Sequence, residues 1–550
     1  MPKKAAWTVM VYLAGDNNLT TECLFALTEM KKALPGDEIN VVAQFDPQDA
    51  HVPTHRYEIN RAGPNTTLFD DIIDEAHFDP RTREVCFKKE SDNANAFLSS
   101  RVVRRELIRQ VLDEKQDLTV LAFEEERITD ETDTGSPITL YNFLSFCLQE
   151  YPAEHYLIVL SGHSGGTNSD YLLTDTSPRG SLTFNELKTV FKELQKDLNG
   201  QKIDIIGMDN CLMSMAEVCY ELRGSADFLV GCESFSPASG WPYKEILQRL
   251  KTDLVKSKKG KKKSIVENFA KAIVEEYTNY YSGYWMSGLS VSQSALDLRK
   301  VDQLGELVNR LGSVLEKQLL DEYQPESKKR KSKKTTRTFS HALLLAHWEA
   351  QSYNGELFVD LYDLCSCLET HDLPIEITKV CSEVKKFIET KLVLKSCFVG
   401  AAYQYSYGLS IYFPWSQVAN SYWNLDFVKA SMTSGWGSFL NSYTVVTRRE
   451  PRGGNKRSKL NAIQTVGLDQ RIAETRMMTD RMMTDRMMTD RMMTDRMMTD
   501  RMSSDSSGNP IQSMRNPPLV FFPPNCVKEH RELVAVQERF WGTPKTRRLL

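Results

Sequence analysis

The stretch IDIIGMDNCLMSMAEV, residues 203–218, constrains the fold more than any other. Ile203, Ile205, Ile206 and the small Gly207, interrupted only by Asp204, read as a short strand buried on both faces, and Leu212 onward reads as a helix. Cys211 therefore falls where a strand hands over to a helix. A thiol there, beside the first free N–H groups of a helix, lies near partial positive charge and ionises more readily. Ligands of open α/β sheets bind at that same edge.

A nucleophilic thiol needs a base. The stretch YLIVLSGHSGG, residues 156–166, is another apolar strand running into a small-residue turn, and it carries His163. Of nine histidines, only this one directly follows a buried strand inside a Gly/Ser turn. Cys211 lies 48 positions further on, with one helix-like stretch, 184–198, between them. Two neighbouring parallel strands joined by a crossover helix fit that length, which predicts that both side chains emerge at one sheet edge.

The rest of the first half continues the alternation. Residues 7–14 and 39–45 read as strands around a helix over 20–34, 137–151 as an amphipathic helix, and 227–232 and 289–297 as a fifth and sixth strand. A short hairpin at 55–60 and a helix at 104–114 are weaker expectations. Asp16 faces the same edge as Cys211 and His163, and reads as a helix cap rather than a catalytic group.

Six segments in order carry a resemblance. WTVMVYLAGDNNL (7–19), TGSPITL-x-x-FL (134–144), SGHSGG, MDNCLMSMAEV, CESFSPASGWPY (232–243) and GLSIYFP (408–414) resemble the clostripain family of cysteine peptidases, over residues 7–443. The resemblance implies an α/β, caspase-like three-layer sandwich with a mostly parallel six-stranded sheet. It further implies Cys211 as nucleophile and His163 as the group that manages its protons. The oxyanion donors would be the backbone N–H groups of Ser164 and Cys211. Ser164 departs from the glycine the family more often has after its histidine.

The family cuts after arginine or lysine, and an acidic residue two before the cysteine helps to read that charge; Asp209 holds the position. Its other reading is a cap for the helix expected from Leu212. Glu233, Ser234 and Trp241 fall in the loop where the family builds its substrate pocket, and Glu233 is also read as a surface residue. Self-cleavage is common in the family between the two dyad strands, which points to Arg179 in TDTSPRGSL as a processing site.

These readings divide the chain into a catalytic domain at 1–298, a helix-rich accessory lobe at 299–445, a linker at 446–475, a spacer at 476–505 and a tail at 506–550. The spacer is RMMTD five times followed by RMSSD. A five-residue period advances a helix by roughly 140° net per repeat, so the methionines spiral around it and form no coiled-coil stripe. The tail, with PPLVFFPP, reads equally as a partner-docking segment or as disorder.

Net charge of −4 gives no global attraction to nucleic acid or membrane. The lysine runs KSKKGKKK (256–263) and KKRKSKK (328–334) accordingly read as solvated loops, against nucleic-acid contact or a localisation signal. Eleven scattered cysteines read as reduced thiols. With neither a leader-like start nor a long apolar run, the expected location is cytoplasmic. Some clostripain-like enzymes use calcium, yet no DxDxDG-type loop occurs, so no cofactor is expected. Beside a peptidase acting on protein or peptide substrates stand two other classes, an idle caspase-like scaffold and a nucleic-acid binder. Retention of Cys211, His163 and Asp209 argues against the scaffold.

Overall fold

A computed structural model describes residues 4–33, 35–48, 54–59, 75–79, 84–88, 97–98, 120–122, 132–168, 171–176, 179–257, 265–283, 289–322, 339–354, 356–415, 417–431 and 434–448. The expected helix at 104–114, the second lysine run, the repeats and the tail lie outside these residues.

Among the described residues the main sheet has nine strands: β1 (Ala5–Gly15), β2 (Ile39–Pro47), β3 (His55–Ile59), β4 (Val120–Ala122), β5 (Ala153–Ser161), β6 (Ile203–Asp209), β7 (Ala226–Gly231), β8 (Val291–Asp297) and β9 (Val393–Val399). They lie in the order β9-β8-β7-β6-β5-β1-β2-β3-β4. The run β7-β6-β5-β1-β2 is parallel, and the strands beyond it on both sides pair antiparallel. All six expected strands are present, and β3, β4 and β9 extend the sheet past them.

Alternation along β1 explains the layers. Val9, Val11 and Leu13 face one core with helices α1 (Thr20–Lys32), α5 (Tyr243–Ser257) and α6 (Ile265–Ser282). Met10, Tyr12 and Ala14 face the other core, with α2 (Pro137–Glu150), α3 (Phe184–Asp197), α4 (Ala216–Leu222) and α7 (Val301–Glu322). A strand covered on both faces must be apolar at nearly every position, and β1 is buried from Trp7 onward. The crossover helix α3 starts on a capping box: Glu186 N–H donates to Thr183 Oγ1 at 3.2 Å, and Thr183 N–H donates to Glu186 Oε2 at 2.9 Å.

One expectation shifts. Leu212 does not begin a helix: its φ is +60°, and α4 begins only at Ala216 with Met215 as its N-cap. Backbone bonds from Leu212 N–H to Ser234 O (2.9 Å) and from Met213 and Ser214 N–H to Cys232 O (2.9 Å each) hold the intervening turn instead. Beyond the expected boundary at residue 298, Val393–Val399 pairs with β8 in the main sheet.

The C-terminal part also grips the cysteine segment directly. Three buried carboxylates just after Cys211 each accept a backbone N–H from it: Glu217 from Tyr412 (2.9 Å), Glu221 from Phe427 (3.0 Å) and Glu233 from Gly408 (2.8 Å). Burial raises Glu217 to about 7, against the bonds from Tyr412 N–H and Tyr422 Oη–H that lower it. A carboxyl raised in the folded state adds stability below its unfolded value near 4.5, and that stability is lost as pH rises through about 7. Glu217→Gln should therefore flatten the pH dependence of the denaturant unfolding midpoint between those values. At pH 8 it should stabilise the protein, by on the order of 3 kcal/mol at most.

Candidate active site

The pairing of β5 with β6 sets the site. Asp209 is opposite Ser161 in the parallel register, so Cys211 and His163 each lie two residues beyond the same paired position. Past that pair the chains stay joined: Gly162 N–H donates to Asp209 O at 3.4 Å, and Ser164 Oγ–H donates to the Cys211 carbonyl. The two segments expected to converge at one sheet edge do so. Cys211 and His163 are both largely buried, at 2% and 8% exposure.

Cys211 does not lie at a helix N-terminus, because α4 starts five residues later. The N–H that reaches its sulfur comes from the 234–240 loop: Ser236 N–H donates to Cys211 Sγ at 3.4 Å. A positive φ at the non-glycine Leu212 is a strained conformation of the kind found where a fold over-determines the backbone at a functional turn. Leu212 is fully buried, and its N–H is held by Ser234 O.

His163 bonds through Nε2 to Asn18 Oδ1 at 2.7 Å. Asn18 belongs to the turn after β1 and was not singled out by its sequence. Asp16 in that turn accepts from Thr176, through its carbonyl (3.0 Å from N–H) and through Oδ1 (2.8 Å from Oγ1–H). Asp16 thus ties the turn to the strand Leu172–Thr176 that follows His163.

Asp209 is no helix cap. Its Oδ2 accepts from Tyr243 Oη–H at 2.8 Å and from Ser161 Oγ–H at 3.1 Å. Burial first, then the Asp209 charge, hold the Tyr243 phenol far above its ordinary range, so it stays a neutral donor. The carboxylate lies in a cleft lined also by Glu22, Ser161, Gly162, Ser236 and Gly240. Gly240 has φ +66°, and a Cβ there would stand 2.7 Å from Asp209 Oδ2, so only glycine lets the loop close over the carboxylate.

Glu233 and Trp241 are not brought to that cleft. Glu233 is buried against Asp360: burial raises Glu233 to about 7 against the hydrogen bond from Asp360 that lowers it, and burial with the Glu233 charge raises Asp360 well above the usual carboxylate range. Trp241 is 2% exposed and lies over Gly207 on β6, where a Cβ would be 2.7 Å from its Cη2. Both residues follow β7, but the loop turns them inward, as support for the strand end. Arg179 is exposed, opposite Thr176 in a hairpin with Leu172–Thr176. The cysteines whose side chains the structure describes, nine of the eleven, are all buried. No cluster of three or more His, Cys, Asp or Glu among the described residues could hold a metal ion, and no described helix is long and apolar enough to cross a membrane.

The family description that matches this chain is the clostripain family, peptidase C11, over residues 11–443. Clostripain of Hathewaya histolytica is 24% identical over 397 residues, covering 65% of this chain and 64% of that protein's length. A solved structure of a secreted C11 cysteine protease from Bacteroides thetaiotaomicron, in complex with an irreversible peptide inhibitor, is 16% identical. It covers 80% of this chain and 99% of that one with a TM-score of 0.49. An inactive zymogen C11 protease from Parabacteroides distasonis is 18% identical, covering 78% and 99%, with a TM-score of 0.45.

The Tyr243–Asp209 bond is a buried hydrogen bond to a charged group. Tyr243→Phe should destabilise the protein by about 1.5–3 kcal/mol in urea unfolding, and by only about 0.5–1.5 kcal/mol in an Asp209→Asn background, where the acceptor is a neutral amide.

Proposed function

Since this chain belongs to the clostripain family of cysteine peptidases, we propose that it is an endopeptidase using Cys211 and His163 as a dyad and cutting after arginine or lysine. The observation that carries the reading is the shared register that puts the thiol and the imidazole two residues past one paired position. The Cys211 thiol passes its proton to His163, and the thiolate attacks the scissile carbonyl carbon. Backbone N–H groups of Ser164 and Cys211 take up the developing oxyanion. As the C–N bond breaks, His163 returns the proton to the leaving amine. Water then attacks the thioester, giving its proton to His163, and the departing sulfur recovers it as the thiol.

Asp209 supports the preference for a basic side chain. It is a largely buried carboxylate on the cleft floor, oriented by two donors. A basic substrate side chain would pair with that charge and a neutral one would not, which gives discrimination. Arg179 supports self-processing, being an exposed arginine beside a hairpin turn between the two dyad strands. Its substrates would be peptides or proteins in the cytoplasm.

Reporter peptides ending in Arg, Lys, Asp or Leu test this directly. Arg or Lys peptides should be hydrolysed, and Cys211→Ala should reduce the rate by at least about 10³-fold. Preferred cleavage after Asp or Leu would remove the role given to Asp209. Mass spectrometry of the purified chain should find a cut after Arg179 that is absent in Cys211→Ala; an uncut, fully active chain would overturn the processing site.

A further inference from the structure

We propose that Asn18 is the positioning residue of His163, a side-chain amide that fixes the tautomer of the imidazole. The inference rests on the dyad reading above and extends it. Its starting point is the contact of 2.7 Å between His163 Nε2 and Asn18 Oδ1. An amide oxygen only accepts, so the Nε2 it faces carries a proton. The lone pair of the neutral ring is then on Nδ1, which becomes the nitrogen that takes the proton from sulfur. Nε2–H keeps its bond to Asn18 throughout the cycle. When the ring becomes imidazolium that bond becomes charge-assisted, so Asn18 stabilises the charged ring more than the neutral one.

The turn that presents Asn18 is built by its neighbour. Asn17 Nδ2 donates to Ala14 O (3.0 Å) and to Thr174 O (2.8 Å), and its Oδ1 accepts from Leu19 N–H (2.9 Å). Thr20 Oγ1–H closes the same turn onto Gly15 O at 2.7 Å. With Asn17 and Thr20 shaping the backbone, Asn18 is exposed, and its side chain reaches across 145 positions of sequence to the imidazole. Two adjacent asparagines thus divide the labour: the first holds the turn, the second holds the base. Around the ring, the Tyr171 ring lies 6.4 Å away by centroid. The Asp16 carboxylate of the same turn is engaged by Thr176.

The test compares Asn18→Ala, Asn18→Ser and Asn18→Asp with wild type, using an arginyl reporter peptide across pH 5 to 10. Serine keeps the turn-forming chemistry but is too short to reach the ring; aspartate keeps the acceptor and adds charge. In the Ala and Ser variants kcat should fall about ten- to hundredfold with KM nearly unchanged, and the alkaline limb of the profile should move to lower pH. Asn18→Asp should restore kcat and move that limb to higher pH. A wild-type profile and kcat in Asn18→Ser would overturn the proposal, as would a loss in all three variants that follows their thermal melting points. Cys211→Ala and His163→Ala are assayed beside them. If either retains hydrolysis the dyad itself is wrong, whereas activity lost in both with Asn18→Ser intact removes only the role of Asn18.

Discussion

The parallel pairing of Ala153–Ser161 with Ile203–Asp209 is the constraint on which the site depends. In a parallel pair both chains run out at the same edge, so residues at equal offsets past a paired position become neighbours without any further device. Asp209 opposite Ser161 therefore brings together three things at once: Cys211 beside the His163 turn, the Ser161 hydroxyl on the Asp209 carboxylate, and the Ser164 hydroxyl on the Cys211 carbonyl. Sliding either strand by one residue would undo all three and turn buried side chains to the wrong face of the sheet.

What keeps the edge from fraying is the C-terminal part of the chain. Ser410 N–H donates to Ser214 O at 2.9 Å, and Ser214 Oγ–H donates to Gly408 O at 2.7 Å. These bonds, with the three carboxylates that accept N–H groups of Gly408, Tyr412 and Phe427, lace residues 408–427 to residues 214–233. Lys188 adds a cation, 3.1 Å from Glu221 and 2.5 Å from Asp426. Such a network is strong only when complete, since each carboxylate left without its donor would be a buried charge in an apolar surround. The C-terminal segment is thus part of the frame that holds the cysteine turn, more than an appendage to it.

Much of this was legible in the sequence, for identifiable reasons. Strands covered on both faces announce themselves as apolar runs, so the six strands that carry or flank the site could be placed, and Cys211 and His163 stood out by following such runs. The turn after Cys211 could not be read. Leu212 is an ordinary helix former, and its left-handed backbone is imposed by Ser234 and Cys232, which no local propensity encodes. Glu233 read as a pocket residue from the place of its loop in the family resemblance, and as a surface residue from its charge. Its burial against Asp360 depends on a partner 127 positions away. Val393–Val399 was not placed in the sheet, because its partner there comes from a hundred residues earlier. Asn18 was hidden in a GDNN turn whose residues all read as turn formers, and only the fold distinguishes the asparagine that builds the turn from the one that faces the histidine.

The central claim is that one sulfur and one imidazole act together at this edge. Covalent labelling measures it most directly: the full chain is incubated with a short arginyl peptide bearing a thiol-reactive electrophile, then digested and mapped by mass spectrometry. The account predicts a single adduct on Cys211, formed quickly in the wild type and far more slowly in His163→Ala. An adduct on another of the eleven cysteines, or equal labelling of Cys211 with and without His163, would contradict it.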